Sequence, residues 1–260
     1  MMNNDLSSSS ITSGLNTKFV GQNVIYLPVT TSTMDAAKEE ARKKAPEGTI
    51  VIAEEQTLGR GRLKRSWIAP PGSCIAMSII LYPDVKTLPY LIMVASLAVV
   101  EGIKQTTGLK AQIKWPNDVL LNGKKVCGIL IENGFKGNAV AYAVIGIGIN
   151  VNLKVSELPD ISATATSLSD EVGRDVSRLA VVRNLLAAME KLYPHAKTDN
   201  SVFLQWQDSL VTLGKRVKVT SPDSVQEGVA ESVSPDGSLM LRKPDGTLVK
   251  IVAEDVTLRE

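Results

Sequence analysis

The stretch Asp118-Val119-Leu120-Leu121-Asn122-Gly123-Lys124-Lys125-Val126-Cys127-Gly128-Ile129-Leu130-Ile131-Glu132 holds two β-rich runs on either side of an Asn-Gly pair. Asn-Gly supplies the positive φ angles of a two-residue turn, so the stretch predicts a hairpin, Asp118 to Leu121 against Lys125 to Glu132. Just beyond it Ala139 to Asn150, rich in Val, Ile and Gly, reads as another strand. Further strands are expected at Val24 to Pro28, Gly48 to Ala53, Cys74 to Leu81 and Gln112 to Trp115. Helices are expected at Thr31 to Lys44, capped by Ser32 or Thr33, and at Leu88 to Thr107, Ser177 to Leu192 and Val202 to Leu213. The fold class is therefore α+β, a mixed and largely antiparallel sheet backed by helices.

Past Gly214 the pattern changes to short β runs separated by Pro235-Asp236-Gly237 and Pro244-Asp245-Gly246 turns. Four strands ending near Ala253 suggest a small SH3-like β-barrel, too small to stand without the main domain. The division expected is a flexible Ser-rich tail over 1–20, a main domain over 21–213 and the barrel over 214–260.

Composition narrows the function. The 260 residues are 44% hydrophobic and 22% charged, with 29 Lys plus Arg against 27 Asp plus Glu, a net charge of +2. So even a balance argues against a bulk nucleic-acid binder while leaving room for a local basic site. Two cysteines, Cys74 and Cys127, and one histidine, His195, exclude a disulfide framework and a Cys/His zinc site. They also argue against a Cys-His nucleophile pair. The start of the chain has no apolar signal region, and the longest apolar run, Leu91 to Val100, is half the length a membrane span needs, about 20 residues. A soluble, cytoplasmic protein is expected.

Four segments could carry chemistry. Gly59-Arg60-Gly61-Arg62-Leu63-Lys64-Arg65-Ser66-Trp67 sits in a long loop, Glu54 to Pro71, and its cations could grip phosphate or carboxylate, contact nucleic acid, or simply be solvated. Mutual repulsion would keep it mobile until an anion orders it. Lys114-Trp115-Pro116-Asn117-Asp118 makes a rigid corner whose last two residues can meet an amine, a ribose or magnesium, or be only a turn. Gly146-Ile147-Gly148-Ile149-Asn150 implies close approach of a backbone or ligand, or a bulged core strand. Lys125 shares a face with Cys127 if the strand alternates regularly, and would face inward only toward an anion. Neither a P-loop nor a dinucleotide fingerprint is present.

Taken in order, Ser32-Thr33-Met34, Glu55 to Arg62, Lys114 to Asp118, Lys125 to Glu132 and Gly146 to Asn150 resemble the motifs of the biotin protein ligases, the biotin–[acetyl-CoA-carboxylase] ligases. The resemblance runs from about Val24 to the C-terminus. It implies two steps: biotin's carboxylate attacks the α-phosphate of ATP to give biotinyl-5′-adenylate, and a lysine of a biotin carboxyl carrier domain then attacks the activated carbonyl. By the same resemblance Ser32, Thr33, Met34 and Gln56 line the biotin head group, with Met34 offering only backbone contact where Asn is common. Arg60, Gly61, Arg62 and Lys125 meet the biotin carboxylate and the phosphate. Arg62, Trp67, Asn117, Asp118, Lys125 and Asn150 serve ATP, and Asp118 and Asn150 serve Mg2+. Arg62, Lys125 and Asp118 are the catalytic set, Asp118 as base toward the incoming lysine. Lys64 stands where Gly is common, which would stiffen the loop or make it more cationic.

The resemblance further implies a possible homodimer. The stretch before Val24 is too short for the helix-turn-helix domain that some members carry, so a ligase without repressor function is expected. A lipoate or octanoate ligase would share the core fold, and a nucleic-acid-binding module is the competing non-enzyme reading. The Gly-Arg-Gly-Arg loop favours biotin, and the lack of aromatics beyond Trp206 disfavours nucleic acid.

Overall fold

The computed structural model describes residues 6–62, 66–67, 69–221, 224–252 and 255–258. Seven strands form the main sheet: β1 (Val24–Thr30), β2 (Ile50–Gln56), β3 (Cys74–Leu81), β4 (Gln112–Lys114), β5 (Asp118–Leu121), β6 (Lys124–Lys136) and β7 (Ala139–Asn150). Their order is β1-β2-β3-β7-β6-β5-β4. β1 and β2 are parallel because the helix α2 (Thr33–Arg42) crosses between them, and every other neighbouring pair is antiparallel.

The two faces of this sheet are covered unequally. One face packs on α3 (Tyr90–Thr107) and α5 (Arg178–Leu192), burying alternate residues such as Ile75, Met77, Ile79, Ile145 and Ile147. Gly102 lets those helices meet, since a Cβ there would lie 3.0 Å from the Leu185 backbone nitrogen. The opposite face is covered over one end only, where Met34, Ala37 and Ala41 of α2 pack on Val51, Ile80 and Val144. The rest of that face is left for the loop that follows β2. No helix among the described residues is long and apolar enough to cross a membrane.

Residues 6–20, expected as a loose tail, are packed from Leu6 onward. The helix α1 (Ser8–Thr12) has a capping box from Ser7, and Leu6, Ile11 and Val20 are fully buried. Ser8 Oγ donates to the Val24 carbonyl at 3.0 Å, and the Arg183 guanidinium of α5 holds the carbonyls of Ser10 and Ile11. The Glu190 carboxylate accepts the backbone N–H groups of Lys18, Phe19 (2.9 Å) and Val20 (3.0 Å). Composition hid this, because a few apolar residues among serines suffice to dock a short segment.

The small C-terminal unit corrects a second expectation. Its strands are β8 (Arg216–Thr220), β9 (Val225–Val233), β10 (Leu239–Arg242), β11 (Leu248–Ile251) and β12 (Asp255–Leu258), in the order β11-β10-β9-β8-β12. This is an open sheet and no SH3-like barrel. Closure would need β11 to pair with β12, its neighbour in sequence. Instead the chain passes to the far edge, where β12 pairs with β8. Leu239, Leu241, Val217 and Val256 belong to the same buried cluster as α3 and α5. The Gly237 carbonyl accepts from Trp115 Nε1 at 2.8 Å, tying the unit to the corner before Asn117.

Two outcomes follow from the packed N-terminal segment. Ile11→Ala should lower stability by about 2–4 kcal/mol in urea unfolding, the range for a buried large-to-small change; a loss below 0.5 kcal/mol, roughly the surface range, would return the segment to the status of a tail. Partial burial pushes the Glu190 carboxyl up, but the backbone hydrogen bonds from Phe19, Lys18 and Val20 outweigh it and the net shift is down. Its stabilisation is then complete above the unfolded carboxylate pKa and lost as pH falls through the lowered folded value. Glu190→Gln should therefore lose stability at pH 7 and show a flatter acid limb than the parent when melting temperature is followed from pH 7 to 3.

Candidate functional site

Strand register lines up small residues across the uncovered face. Ala53 of β2 pairs with Ala76 of β3, Ala76 with Gly148 of β7, Gly148 with Gly128 of β6, and Gly128 with Asp118 of β5. One pleat away Ser78 pairs with Gly146. Paired residues share a face, so these positions form a trough that ends in the Asp118 carboxylate.

Trp67 lies in this trough. A Cβ on Gly148 would sit 2.5 Å from its Cε2, and one on Gly128 would sit 3.3 Å from its Cζ3. Its Nε1 is buried without a hydrogen-bond partner among the described residues. Ala69, Cys74 and Ala76, with Leu153 and Val155 from the connector after β7, make the apolar surroundings of the ring. Met34 covers the other glycine, its Sδ 2.5 Å from where a Gly146 Cβ would be. The close approach implied by these glycines is thus made by two of the chain's own side chains.

The loop carrying Trp67 is tied to both walls. Trp67 N–H donates to the Gly59 carbonyl at 2.9 Å and Arg60 bridges to Ser66, closing the base of the loop. Arg60 Nη2 meets Asp35 Oδ1 of α2 at 2.6 Å. On the far side Arg62 Nη1 donates to Asn117 Oδ1 at 2.9 Å. Asn117 is itself held, with its Nδ2 on the Ile129 carbonyl at 2.8 Å and its carbonyl accepting from Ile129 N–H at 3.0 Å. Gly61 lies between the two arginines; Leu63, Lys64 and Arg65, and with them the Lys64 departure, fall outside the described residues.

Lys125 joins the same corner by a route that regular alternation does not give. β5 and β6 shift register between Val119 and Leu120, so Val126 bulges. Val126 and Cys127 are then both buried, and Lys125 moves to the face of Gly128. This corrects the expectation that Lys125 and Cys127 share a face. Lys125 Nζ sits 2.7 Å from Asp118 Oδ1 and 6.0 Å from the Trp67 ring centre. Its backbone pairs with the 164–166 segment, Lys125 N–H to Thr164 O and Thr166 N–H to Lys125 O, each at 2.9 Å.

At the α2 end the expected head-group residues are wired together. Ser32 is the N-cap but makes no side-chain cap bond. Gln56 Oε1 accepts from Thr33 N–H at 2.8 Å and Thr33 Oγ1 at 3.1 Å, and Ser78 Oγ donates to Thr33 Oγ1 at 2.9 Å. Asn150 faces the trough side, is 5% exposed, and donates its Nδ2 to the Thr166 carbonyl at 3.0 Å, which anchors the segment beside Lys125. Among the described residues no group of three or more His, Cys, Asp or Glu side chains could hold a metal ion. Burial pushes the Cys74 thiol up to about 11 and raises Cys127 as well, so neither offers a thiolate near neutral pH.

The architecture is that of an acyl-activating transferase core, a half-covered sheet whose open face gathers cations over a floor of small residues. Residues 26–150 match the biotin/lipoate A/B protein ligase family and residues 212–259 match the biotin protein ligase C terminal domain. The chain belongs to the biotin protein ligases. It is 39% identical over 258 residues, 97% of its length, to the bifunctional ligase/repressor BirA of Bacillus subtilis, of which the match covers 79%. It is 33% identical to the biotin–[acetyl-CoA-carboxylase] ligase of Paracoccus denitrificans, covering 85% of this chain and 96% of that one. The solved biotin protein ligase of Aquifex aeolicus in complex with biotin and ATP superposes with a TM-score of 0.76 at 29% identity, over 92% of this chain and 99% of that one.

The trough itself is open to a direct trial. Gly148→Val would drive a side chain into the Trp67 ring. Biotin binding measured by calorimetry should be lost, with stability lowered by about 1–3 kcal/mol for the overpacking. Retained biotin affinity would show that the floor around Gly148 lies outside the ligand site.

Proposed function

We propose that the trough holds biotin and then biotinyl-5′-adenylate, and that this ATP-dependent biotin ligase passes the biotinyl group to the lysine of a carrier domain through the corner built by Arg62, Asn117, Asp118 and Lys125. One observation carries the reading. Loop and sheet each bring a cation to adjacent residues, Arg62 on Asn117 and Lys125 on Asp118, beside the floor of small residues that pairs Gly148 with Gly128.

In the first step a biotin carboxylate oxygen bonds to the α-phosphorus of ATP as the bond to the β-phosphate oxygen breaks, and pyrophosphate leaves. Two anionic groups must be brought into contact, which cations fixed in place beforehand stabilise without further reorganisation. Arg62 and Lys125 do this here. Asp118 fixes the Lys125 ammonium by its ion pair, and the Arg60-Gly61-Arg62 stretch contributes along the acyl chain toward the carboxylate. Thr33 and Gln56, with Ser32 and the backbone of Met34, meet the ureido end, after the Thr33–Gln56 bond opens to the ligand. Trp67 Nε1, buried without a hydrogen-bond partner among the described residues, would gain one from a bound ligand, which removes the cost of a buried unpaired donor. No protein nucleophile is required, in keeping with the raised thiols.

Magnesium bound to the triphosphate would neutralise the phosphate charge and favour departure of pyrophosphate. The donor set fits an ion carried in on the nucleotide: Asp118 offers one carboxylate and Asn150 an amide oxygen, its Nδ2 being the atom held by the Thr166 carbonyl. In the second step the carrier lysine attacks the acyl carbonyl, AMP leaves, and Asp118 is placed to accept the ammonium proton. The carrier proposed is the biotin carboxyl carrier domain of acetyl-CoA carboxylase, supported by the likeness to the Paracoccus ligase.

Arg62→Ala and Lys125→Ala should keep their melting temperatures within a few degrees yet lose biotin-dependent ATP–pyrophosphate exchange by about 10²–10³-fold, the effect of removing one fixed charge contact. Normal exchange in both variants would move the site elsewhere. Loading of lipoate in place of tritiated biotin onto a carrier domain would instead favour the lipoate ligase reading.

A further inference from the structure

Ser78 lies within β3 on the trough face, paired with Val51 on one side and Gly146 on the other, and it is fully buried. Val51 and the Met34 side chain over Gly146 belong to one apolar cluster, so this hydroxyl has to find its partner within the fold. It donates to Thr33 Oγ1 at 2.9 Å. Thr33, the first residue of α2 and 3% exposed, in turn places its Oγ1 3.1 Å and its backbone nitrogen 2.8 Å from Gln56 Oε1. The direction of every proton in this chain follows from one group. A backbone N–H can only donate, so Gln56 must turn its oxygen, not its amide nitrogen, toward Thr33. An amide oxygen can only accept, so the single hydroxyl proton of Thr33 goes to Gln56. Thr33 Oγ1 then has only lone pairs left for Ser78, and Ser78 must be the donor.

We propose that Ser78 is a positioning residue that holds the Thr33 hydroxyl as a donor, and so fits this end of the trough to a ligand offering an oxygen acceptor beside an N–H donor, the pattern of a cyclic urea. This rests on reading the trough as the biotin site and adds to it the residue that sets the sense of the head-group contacts. When such a ligand enters, the Thr33 proton swings from Gln56 Oε1 to the ligand oxygen. Gln56 Oε1 still accepts from the Thr33 N–H and is open to the ligand's own N–H. With the Thr33 side chain released from Gln56, the bond from Ser78 is the tie that keeps it from rotating. That bond also strengthens Thr33 as a donor, since hydrogen bonds in series polarise one another. Ser78 acts through Thr33, whereas Arg62 and Lys125 meet the charge of the reacting groups. Its loss therefore shows in biotin binding and not in turnover.

The test follows biotin-dependent ATP–pyrophosphate exchange in the full chain as parent, Ser78→Ala, Thr33→Val and the double variant. Ser78→Ala should raise the KM for biotin about three- to tenfold, the effect of one hydrogen bond. The rate at saturating biotin should stay within about twofold of the parent. In the Thr33→Val background the same change should move KM by less than about twofold, because two residues that share one bond are not additive. In a ligand-free arm, Ser78→Ala should lower the urea midpoint of the parent but not that of Thr33→Val, where Ser78 has already lost its acceptor. An unchanged biotin KM in Ser78→Ala would overturn the role, as would an equal rise in KM or an equal drop in midpoint in both backgrounds. So would a loss confined to the rate at saturation. A parent without biotin-dependent exchange would overturn the proposed function instead, and the ligand-free arm would still judge the bond between Ser78 and Thr33.

Discussion

The arrangement depends on a steric constraint: the middle of the sheet's open face carries almost no side chains. Ala53, Ala76, Gly148 and Gly128 fall in one row because four strands hold a fixed register. A side chain at Gly148 would meet Trp67 at 2.5 Å, a distance that Cβ atoms do not tolerate, and one at Gly128 would meet it at a tight 3.3 Å. The α3 and α5 layer makes this open face affordable. With the opposite face fully packed by large aliphatic residues, the sheet stays rigid without a second complete layer. The packed core and the proposed ligand trough therefore lie on opposite faces of the same strands, separated by the period of two.

Around this floor the charged groups are held in pairs. Arg60 with Asp35, Arg62 with Asn117 and Lys125 with Asp118 each join a cation to a partner on α2, in the turn before β5 or on β5 itself. Such pairs add little to stability at partly exposed positions, and their contribution here is to orientation. They keep like charges from driving the loop outward, and at each of them an anion can exchange for the existing partner.

Much of this was legible in the sequence. The Asn122-Gly123 turn, the glycines of β7 and the ordered motifs pointed to the sheet and to its corner at Asn117 and Asp118, because turn chemistry and missing side chains are local signals. What could not be read depends on register or on long-range contacts. The bulge at Val126 reversed the facing of Lys125, and one extra residue in a ladder leaves no mark in composition. Ala53 and Ala76 look like ordinary strand alanines until pairing sets them beside Gly148. Nothing in the sequence showed that Asn150 Nδ2 anchors the 164–166 segment through the Thr166 carbonyl. The barrel failed because four short strands joined by tight turns specify a meander, and only the path after Ile251 decides whether its edges meet.

The condition of the two sulfur atoms has a practical consequence. Cys74 and Cys127 are enclosed and hard to deprotonate, so maleimides and iodoacetamides find little to react with while the chain is folded. A single cysteine engineered onto the surface would then be the preferred attachment point for a dye or spin label, without first removing the native pair, and ligand binding beside Trp67 could be followed by spectroscopy with both native sulfur atoms in place.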